Sequence, residues 1–384
     1  MSEAVILSCV RSPLARAHKG SFVNTRIDDI AAQVLAAALT AVPGLDPAAV
    51  EDLLVGCAFP EGEQGLNVSR NIALLAGLPS TTAAATINRY CASSMEAVAQ
   101  AARAVACGDG DLIVAGGIES MTHVPIGGFN TSLNERLATD GAPDVYIPMG
   151  LTAENVAREY GISREEQDRF ALMSHRKAIA AQGRGEFDAE IVPVEANATD
   201  GARAMVASDE GPRPDTSMEA LANLRPAFLE GGTVTAGNSS PMTDGAAMVV
   251  IASKRFAKRI GVKPLVRIRA TAVAGVAPEL MGTGPIAAVP KALARARMKL
   301  RNVDIVELNE AFASQAIACV RELGIDESRL NVSGGAIALG HPLGASGARI
   351  VTTLVHAMTA RGARRGLATM CVGGGQGMAM VLER

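Results

Sequence analysis

Apolar residues along the chain fall into two alternating periods. Ala4–Val10 is an apolar run of strand length, and Asp52–Cys57, Ala83–Asn88 and Asp111–Gly116 read the same way. Between these runs the period changes to three and four. Ile27–Ala41 sets Ile30, Val34, Leu35 and Ala38 on one face, Ser93–Cys107 does so with Met95, Val98, Ala102 and Val105, and Val68–Gly77 is a third helix. The pattern resumes later in the chain. Strands are predicted at Leu265–Ala274, Ile305–Leu308 and Arg329–Val332, and helices at Ile286–Ala296, Ala313–Leu323 and Ala348–Thr359. Gly366–Cys371 and Met378–Glu383 close the chain as a strand pair around a glycine-rich turn. Such alternation predicts an α/β protein built in layers. Each half places a strand, then a loop with reactive residues, then a helix; the loops are Asn88–Ser94 and Ser333–Gly347. Their letters differ, so the repeat is one of plan.

From about Ser120 to Gly232 the character shifts toward charge, proline and glycine. A helical segment at Ala153–Arg158 is followed by Ser163-Arg-Glu-Glu166, a capping box that opens a helix through Phe170 and Met173. Thr233–Ile251 returns to strand-like sequence, with the last strand of the first half near Ala246–Ile251. The expected organisation is a first half of residues 1–119 plus 233–255, an inserted loop domain of 120–232, and a second half of 256–384.

Composition narrows the function. The 384 residues are 48% hydrophobic, enough for a sizeable core, and the net charge of −3 comes with no dense basic block. With no Trp and three Tyr there is little to stack on bases, so nucleic acid is not an expected partner. No apolar run reaches the ~20 residues of a membrane span. The N-terminus lacks the pattern of a signal peptide, and Val381-Leu382-Glu383-Arg384 is not a peroxisomal tripeptide, so a cytoplasmic location is expected. Cys9, Cys57, Cys91, Cys107, Cys319 and Cys371 are scattered, without a C-x-x-C pair or zinc-ligand spacing. Each is therefore either packing or chemistry, and no metal is expected.

Four stretches carry candidate chemistry. Cys91 lies where the predicted strand turns into the helix from Ser93, and unpaired N–H groups there favour a thiolate and can hold an oxyanion. A buried structural cysteine is the competing reading. His341 lies in Asn331-Val-Ser-Gly-Gly-Ala-Ile-Ala-Leu-Gly-His-Pro-Leu-Gly-Ala-Ser-Gly-Ala-Arg349, a glycine-rich loop suited to a general base. The loop lacks a P-loop ending and a dinucleotide fingerprint. Cys371 ends a strand just before three glycines, which can form an anion-binding nest or a plain turn. Asn309-Glu310 follows a strand and precedes a helix, where the bland reading is an N-cap and a first-turn acid.

Taken together, these motifs resemble the thiolase family over nearly the whole chain. Asn88-Arg-Tyr-Cys91-Ala-Ser-Ser is similar to its nucleophile motif, Asn309-Glu310-Ala311-Phe312 to its Asn–Glu motif, Gly340-His341-Pro342 to its histidine motif, and Cys371-Val-Gly373 to its second-cysteine motif. One departure is Ser94, where a common form has Gly. The resemblance implies a five-layer αβαβα sandwich of two similar halves with an inserted loop domain. It implies Cys91 as acylated nucleophile, His341 as its base and Cys371 as the second acid/base. Asn309 would position a water beside His341 in one oxyanion hole, and the N–H groups of Cys91 and Gly373 would form the other.

The resemblance also places coenzyme A, a substrate and not a bound cofactor, along Met149, Ala236, Ser240, Ala311 and Phe312, with Arg213 near the nucleotide. The competing readings are core for Met149 and Phe312, and a solvated charge for Arg213. Pro148 before Met149 is more like degradative members, which cleave 3-ketoacyl-CoAs, than like biosynthetic members, which condense two acetyl-CoA. A homodimer or homotetramer is implied, and a hydratase/dehydrogenase partner is left open. A ketoacyl synthase would lack Cys371, and a non-catalytic lipid-binding protein would have no need of the full set.

Overall fold

The computed structural model describes residues 3–139, 141–198 and 201–384. The first half contributes β1 (Ala4–Arg11), the short β2 (Ala15–Arg16), α1 (Ile27–Thr40), β3 (Asp52–Gly56), α2 (Val68–Leu75), β4 (Ala83–Ile87), α3 (Ser93–Cys107) and β5 (Leu112–Glu119). A middle stretch holds α4 (Met149–Glu159), α5 (Arg164–Gly183), the hairpin β6 (Val194–Asn197) and β7 (Arg203–Val206), and α6 (Met218–Ala222). Then come β8 (Thr243–Ser253), α7 (Lys254–Arg259), β9 (Val266–Gly275), α8 (Gly284–Ala296), β10 (Ile305–Leu308) and α9 (Ala313–Leu323). The chain ends with α10 (Ala336–Leu339), α11 (Ser346–Ala360), β11 (Arg365–Val372) and β12 (Gln376–Glu383).

The large sheet runs β10-β11-β12-β9-β1-β8-β5-β3-β4. Read outward from the β9–β1 seam, the two sides match: β9, β12, β11, β10 against β1, β8, β5, β3. The seam is slight, Val5 opposite Arg267 and Ile6 opposite Val266. Helices do most of the joining. α3 and α11 share one apolar cluster with strands of both halves, including Met95, Val98, Ile350, Leu354, Ile113, Val249 and Met380. α1 and α2 cover the outer face of the first half. α8 and α9 cover the outer face of the second. These are the five layers implied by the resemblance. The middle pair can approach closely because α3 is rich in alanine, with Ala97, Ala99 and Ala101 fully buried.

Most predicted elements stand, with shifted ends. The strand near Ala246–Ile251 extends over Thr243–Ser253, and the helix predicted from Ala153 starts at Met149 behind Pro148. The capping box is present: Ser163 Oγ accepts from Glu166 N at 3.2 Å and Glu166 Oε2 accepts from Ser163 N at 2.9 Å. The expected strand Arg329–Val332 is a correction. It shrinks to one parallel bridge between Val306 and Leu330, the place that β4 occupies beside β3. Asp326 caps a tight turn there, and Asn331 takes φ 42°, so the backbone turns away from the sheet. The β6–β7 hairpin had no signal in the periodicity. No helix among the described residues is long and apolar enough to cross a membrane.

Where the halves cross, backbone meets backbone. A methyl on Gly117 of β5 would sit 2.3 Å from Gly344 O and 2.5 Å from Ser94 Cβ, and one on Gly347 would sit 2.4 Å from Met95 N. We expect Gly117→Ala to destabilise by about 1–3 kcal/mol through overpacking. Urea denaturation measures this, and an unchanged midpoint would mean the contact relaxes freely.

Candidate active site

Cys91 sits two residues before α3, after a turn in which Tyr90 takes φ 43° and Tyr90 N donates to Asn88 Oδ1 at 2.8 Å. The side chain is 9% exposed. Backbone N–H groups of Gly373 and of Cys91 itself donate toward Sγ and lower its pKa. Burial outweighs them, with the nearby Glu119 charge adding to it, and the thiol is pushed up to about 11. This corrects the expectation of a thiolate poised at a helix start: in the free protein Cys91 is a neutral thiol. Cys371, at the end of β11, is buried and its pKa is raised well above the usual thiol value, by burial first and the neighbouring Cys91 charge second.

His341 is also neutral. Burial, then the charge of Arg349, pushes its pKa down to about 3. Ser346 Oγ donates to Pro342 O at 2.8 Å, so at 2.6 Å from His341 Nδ1 it is the acceptor of the ring N–H. That network assigns the lone pair to Nε2, which lies 3.4 Å from Asn309 Nδ2. Asn309 Oδ1 is buried with no hydrogen-bond partner among the described residues. The capping reading of Asn309-Glu310 is corrected as well. α9 begins only at Ala313, and Glu310 points inward, accepting from Ser174 Oγ at 2.6 Å, Asn331 Nδ2 at 2.7 Å and Ile337 N at 3.2 Å. It thereby ties the Asn309 turn to the histidine loop.

Glu119, which the sequence reading passed over, links the nucleophile side to the histidine side. Its Oε2 accepts from Ala58 N at 2.9 Å and Gly344 N at 2.7 Å, and its Oε1 from Gln64 Nε2 at 2.9 Å. Ser94, the departure from the common motif, accepts from Ala348 N at 2.8 Å. It thus bonds an orphan N–H of α11, whose own N-cap residue Ala345 offers no side-chain bond. An acid ending a strand was the available signal for Glu119, and it reads equally as a solvent-facing stop.

The positions expected along coenzyme A form connected groups. Met149 is half-buried and packs with buried Ala311, Phe312 and Cys371 in one apolar cluster. Ser240 N donates to Ala311 O at 3.0 Å. Arg213 and Ala236 are exposed and line a cavity of about 30 Å³ with Arg16, His175 and Thr216. Arg213 N donates to His175 Nδ1 at 3.2 Å, and burial with the Arg213 and Arg16 charges pushes His175 down to about 4. Cys319 is core, its Sγ 3.3 Å from Gly282 O. No cluster of metal-ligating side chains occurs among the described residues.

Two buried thiols, a neutral imidazole and converging N–H groups are chemistry for acyl transfer through sulfur, and the two matched halves that carry them are those of the thiolase class. Residues 4–255 match the thiolase N-terminal domain and residues 262–384 the thiolase C-terminal domain, and the chain belongs to the thiolase family. It is 49% identical to a 3-ketoacyl-CoA thiolase of Bacillus subtilis (strain 168) and 47% identical to one of Aeromonas salmonicida (strain A449), each over 100% of both chains. Among solved structures it is similar to the Bacillus anthracis acetyl-CoA acetyltransferase, with TM-score 0.92 and 38% identity over 100% of this chain and 99% of that one. It is also similar to human mitochondrial 3-ketoacyl-CoA thiolase, with TM-score 0.91, 35% identity and the same coverage.

A neutral resting thiol has a kinetic signature. Alkylation of Cys91 by iodoacetamide, without substrate, should keep rising with pH through pH 9, because the thiolate fraction grows until about 11. A plateau near neutral pH would mean a preformed thiolate.

Proposed function

We propose that this chain is a 3-ketoacyl-CoA thiolase that cleaves 3-ketoacyl-CoA with free coenzyme A, giving acetyl-CoA and a shortened acyl-CoA in fatty-acid β-oxidation. The observation that carries the reading is the meeting of Cys91 with the Gly373 N–H and with Cys371, together with a buried, neutral histidine whose Nε2 carries its lone pair toward Asn309. Full-length identity of 49% and 47% to 3-ketoacyl-CoA thiolases supports the substrate class.

His341 Nε2 takes the Cys91 proton as Sγ attacks the 3-keto carbon, and the carbonyl electron pair moves to oxygen. The N–H groups of Cys91 and Gly373, which point at Sγ, steady this alkoxide on the carbon that Sγ has just bonded. The C2–C3 bond breaks and its electron pair forms the acetyl-CoA enolate. A water held by Asn309 Oδ1, which has no partner among the described residues, steadies the enolate together with His341, and Cys371 protonates it. The incoming coenzyme A thiol then gives its proton to the Cys371 thiolate and attacks the acyl-Cys91 thioester. Cys91 leaves and regains the proton held on His341. Splitting the reaction at a covalent intermediate predicts ping-pong kinetics.

Coenzyme A enters over residues 120–232, its pantetheine along Met149, Ala236, Ser240, Ala311 and Phe312, and its nucleotide toward Arg213. A cytoplasmic site of action goes with this reading, because all six cysteines are unpaired and two must stay free thiols. A homodimer also goes with it. β4 ends the sheet with an open edge and no fully buried residue, beside Leu66 at 95% exposure. Light scattering at micromolar concentration should give at least twice the 39.5 kDa chain mass, and a monomer would remove that part of the proposal.

Thiolysis tests the whole. Loss of ketoacyl absorbance should be seen with a long 3-ketoacyl-CoA and free coenzyme A, and Cys91→Ser should abolish it. Turnover of acetoacetyl-CoA alone would move the function to the acetyl-transfer branch, the reading favoured by likeness to the Bacillus anthracis acetyl-CoA acetyltransferase. A folded protein inactive on both would sink the enzyme reading.

A further inference from the structure

An acyl group on Cys91 must leave the sulfur along some path, and most directions are taken. The Gly373 N–H occupies one side. The Met149–Phe312–Cys371 cluster, assigned above to coenzyme A and the second thiol, occupies another. The histidine and asparagine come from the opposite half. The remaining rim is Tyr90, which precedes the nucleophile. Its left-handed backbone turns the ring outward, and the residue is 44% exposed. A methyl on Gly373 would stand 3.6 Å from Tyr90 Cγ, so the ring begins where the N–H donor ends.

From Tyr90 an apolar strip leads away. The Phe59 ring lies 6.2 Å from that of Tyr90, tilted by 53°. Phe59 belongs to the turn held by Glu119, and Phe129 lies over Gly62 of the same turn, with Cε2 3.0 Å from where a methyl on that glycine would be. Phe129 is 56% exposed and Ile126 beyond it 60%. The backbone of Phe129 is anchored by its N–H to Glu61 Oε2, so the acid at this place is engaged with the main chain. Across the glycine turn, Val145 Cγ2 would stand 3.6 Å from a methyl on Gly374 and forms the facing wall. Two exposed aromatic rings with the half-buried Phe59 between them, starting at the nucleophile, fit an unbranched alkyl chain.

We propose that Tyr90, Phe59 and Phe129 are specificity-determining residues, a lane for the alkyl tail of long 3-ketoacyl-CoA substrates. The inference rests on the thiolase reading. A four-carbon substrate ends near Tyr90 and gains nothing from Phe129, whereas a long tail covers both. The lane therefore acts on the relative use of chain lengths and leaves the chemistry at Cys91 alone.

The test is kcat/KM for acetoacetyl-CoA and for 3-ketohexadecanoyl-CoA in the wild type, Tyr90→Ala, Tyr90→Phe and Phe129→Ala. The long-to-short ratio should fall about tenfold in Phe129→Ala and in Tyr90→Ala, the scale of one lost aromatic contact, while Tyr90→Phe holds it. Because Phe129 lies on the surface, its variant should fold, and a circular dichroism melt run beside the assay confirms that. A ratio unchanged in Phe129→Ala would overturn the lane. So would an equal loss at both lengths with a fall in mass by light scattering, which would mark the strip as a contact between copies. A wild type inactive on both substrates would sink the thiolase reading itself, whereas activity with an unchanged ratio would sink only this inference.

Discussion

The site depends on one buried carboxylate. Glu119 ends β5 buried in the interior, and burial raises its pKa. Backbone and amide donors from both halves answer that cost: Ala58 N, Phe59 N and Gln64 Nε2 from the first, Gly344 N from the second. A charge-assisted bond is among the stronger polar contacts, and a donor left unmatched here would be costly. The turn after β3, to which Asn88 of the nucleophile turn bonds at Ala58 O, and the histidine loop are therefore referenced to the same two oxygen atoms. The glycines at 117, 344 and 347 make this approach feasible, since a side chain at any of them would force the halves apart. Neither half alone contains a site; the crossing of the two creates it.

What could be read from the letters follows from this arrangement. Periodicity is a property of each layer, so β1, α1, α3, β10 and α9 were legible. So was the repeat of plan, because both halves bury the same faces. The reactive loops stood out because Cys91 and His341 interrupt apolar sequence with polar and glycine-rich turns. Contacts across the crossing were not legible. Ser94 bonds Ala348 and Glu310 bonds Ser174, each far away along the chain, and nothing local marks either residue. Asn309-Glu310 read as a helix cap because local bonding is the default for such a pair. The helix starts three residues later because both side chains have tertiary partners. The strand expected at Arg329–Val332 failed for a related reason: apolar residues alone do not hold a strand when Asn331 is drawn to Leu308 and Glu310. The coenzyme A positions rest on resemblance, because small residues along a cleft carry no periodic signal.

Electrostatics in the site run against a simple helix-dipole argument. Two N–H donors pull the Cys91 pKa down, yet desolvation prevails, and desolvation also keeps His341 neutral. Both results suit the proposed reaction. Two thiols share the space, each raised by burial, and the Cys91 charge raises Cys371 further. Two thiolates side by side would repel in a medium that screens poorly. In the proposed cycle only one is ionised at a time: Cys91 loses its proton as it bonds to carbon, and Cys371 loses its own only after Cys91 has become a thioester. A neutral resting pair thus reserves the charge for the moment when an oxyanion forms and the N–H groups have something to hold.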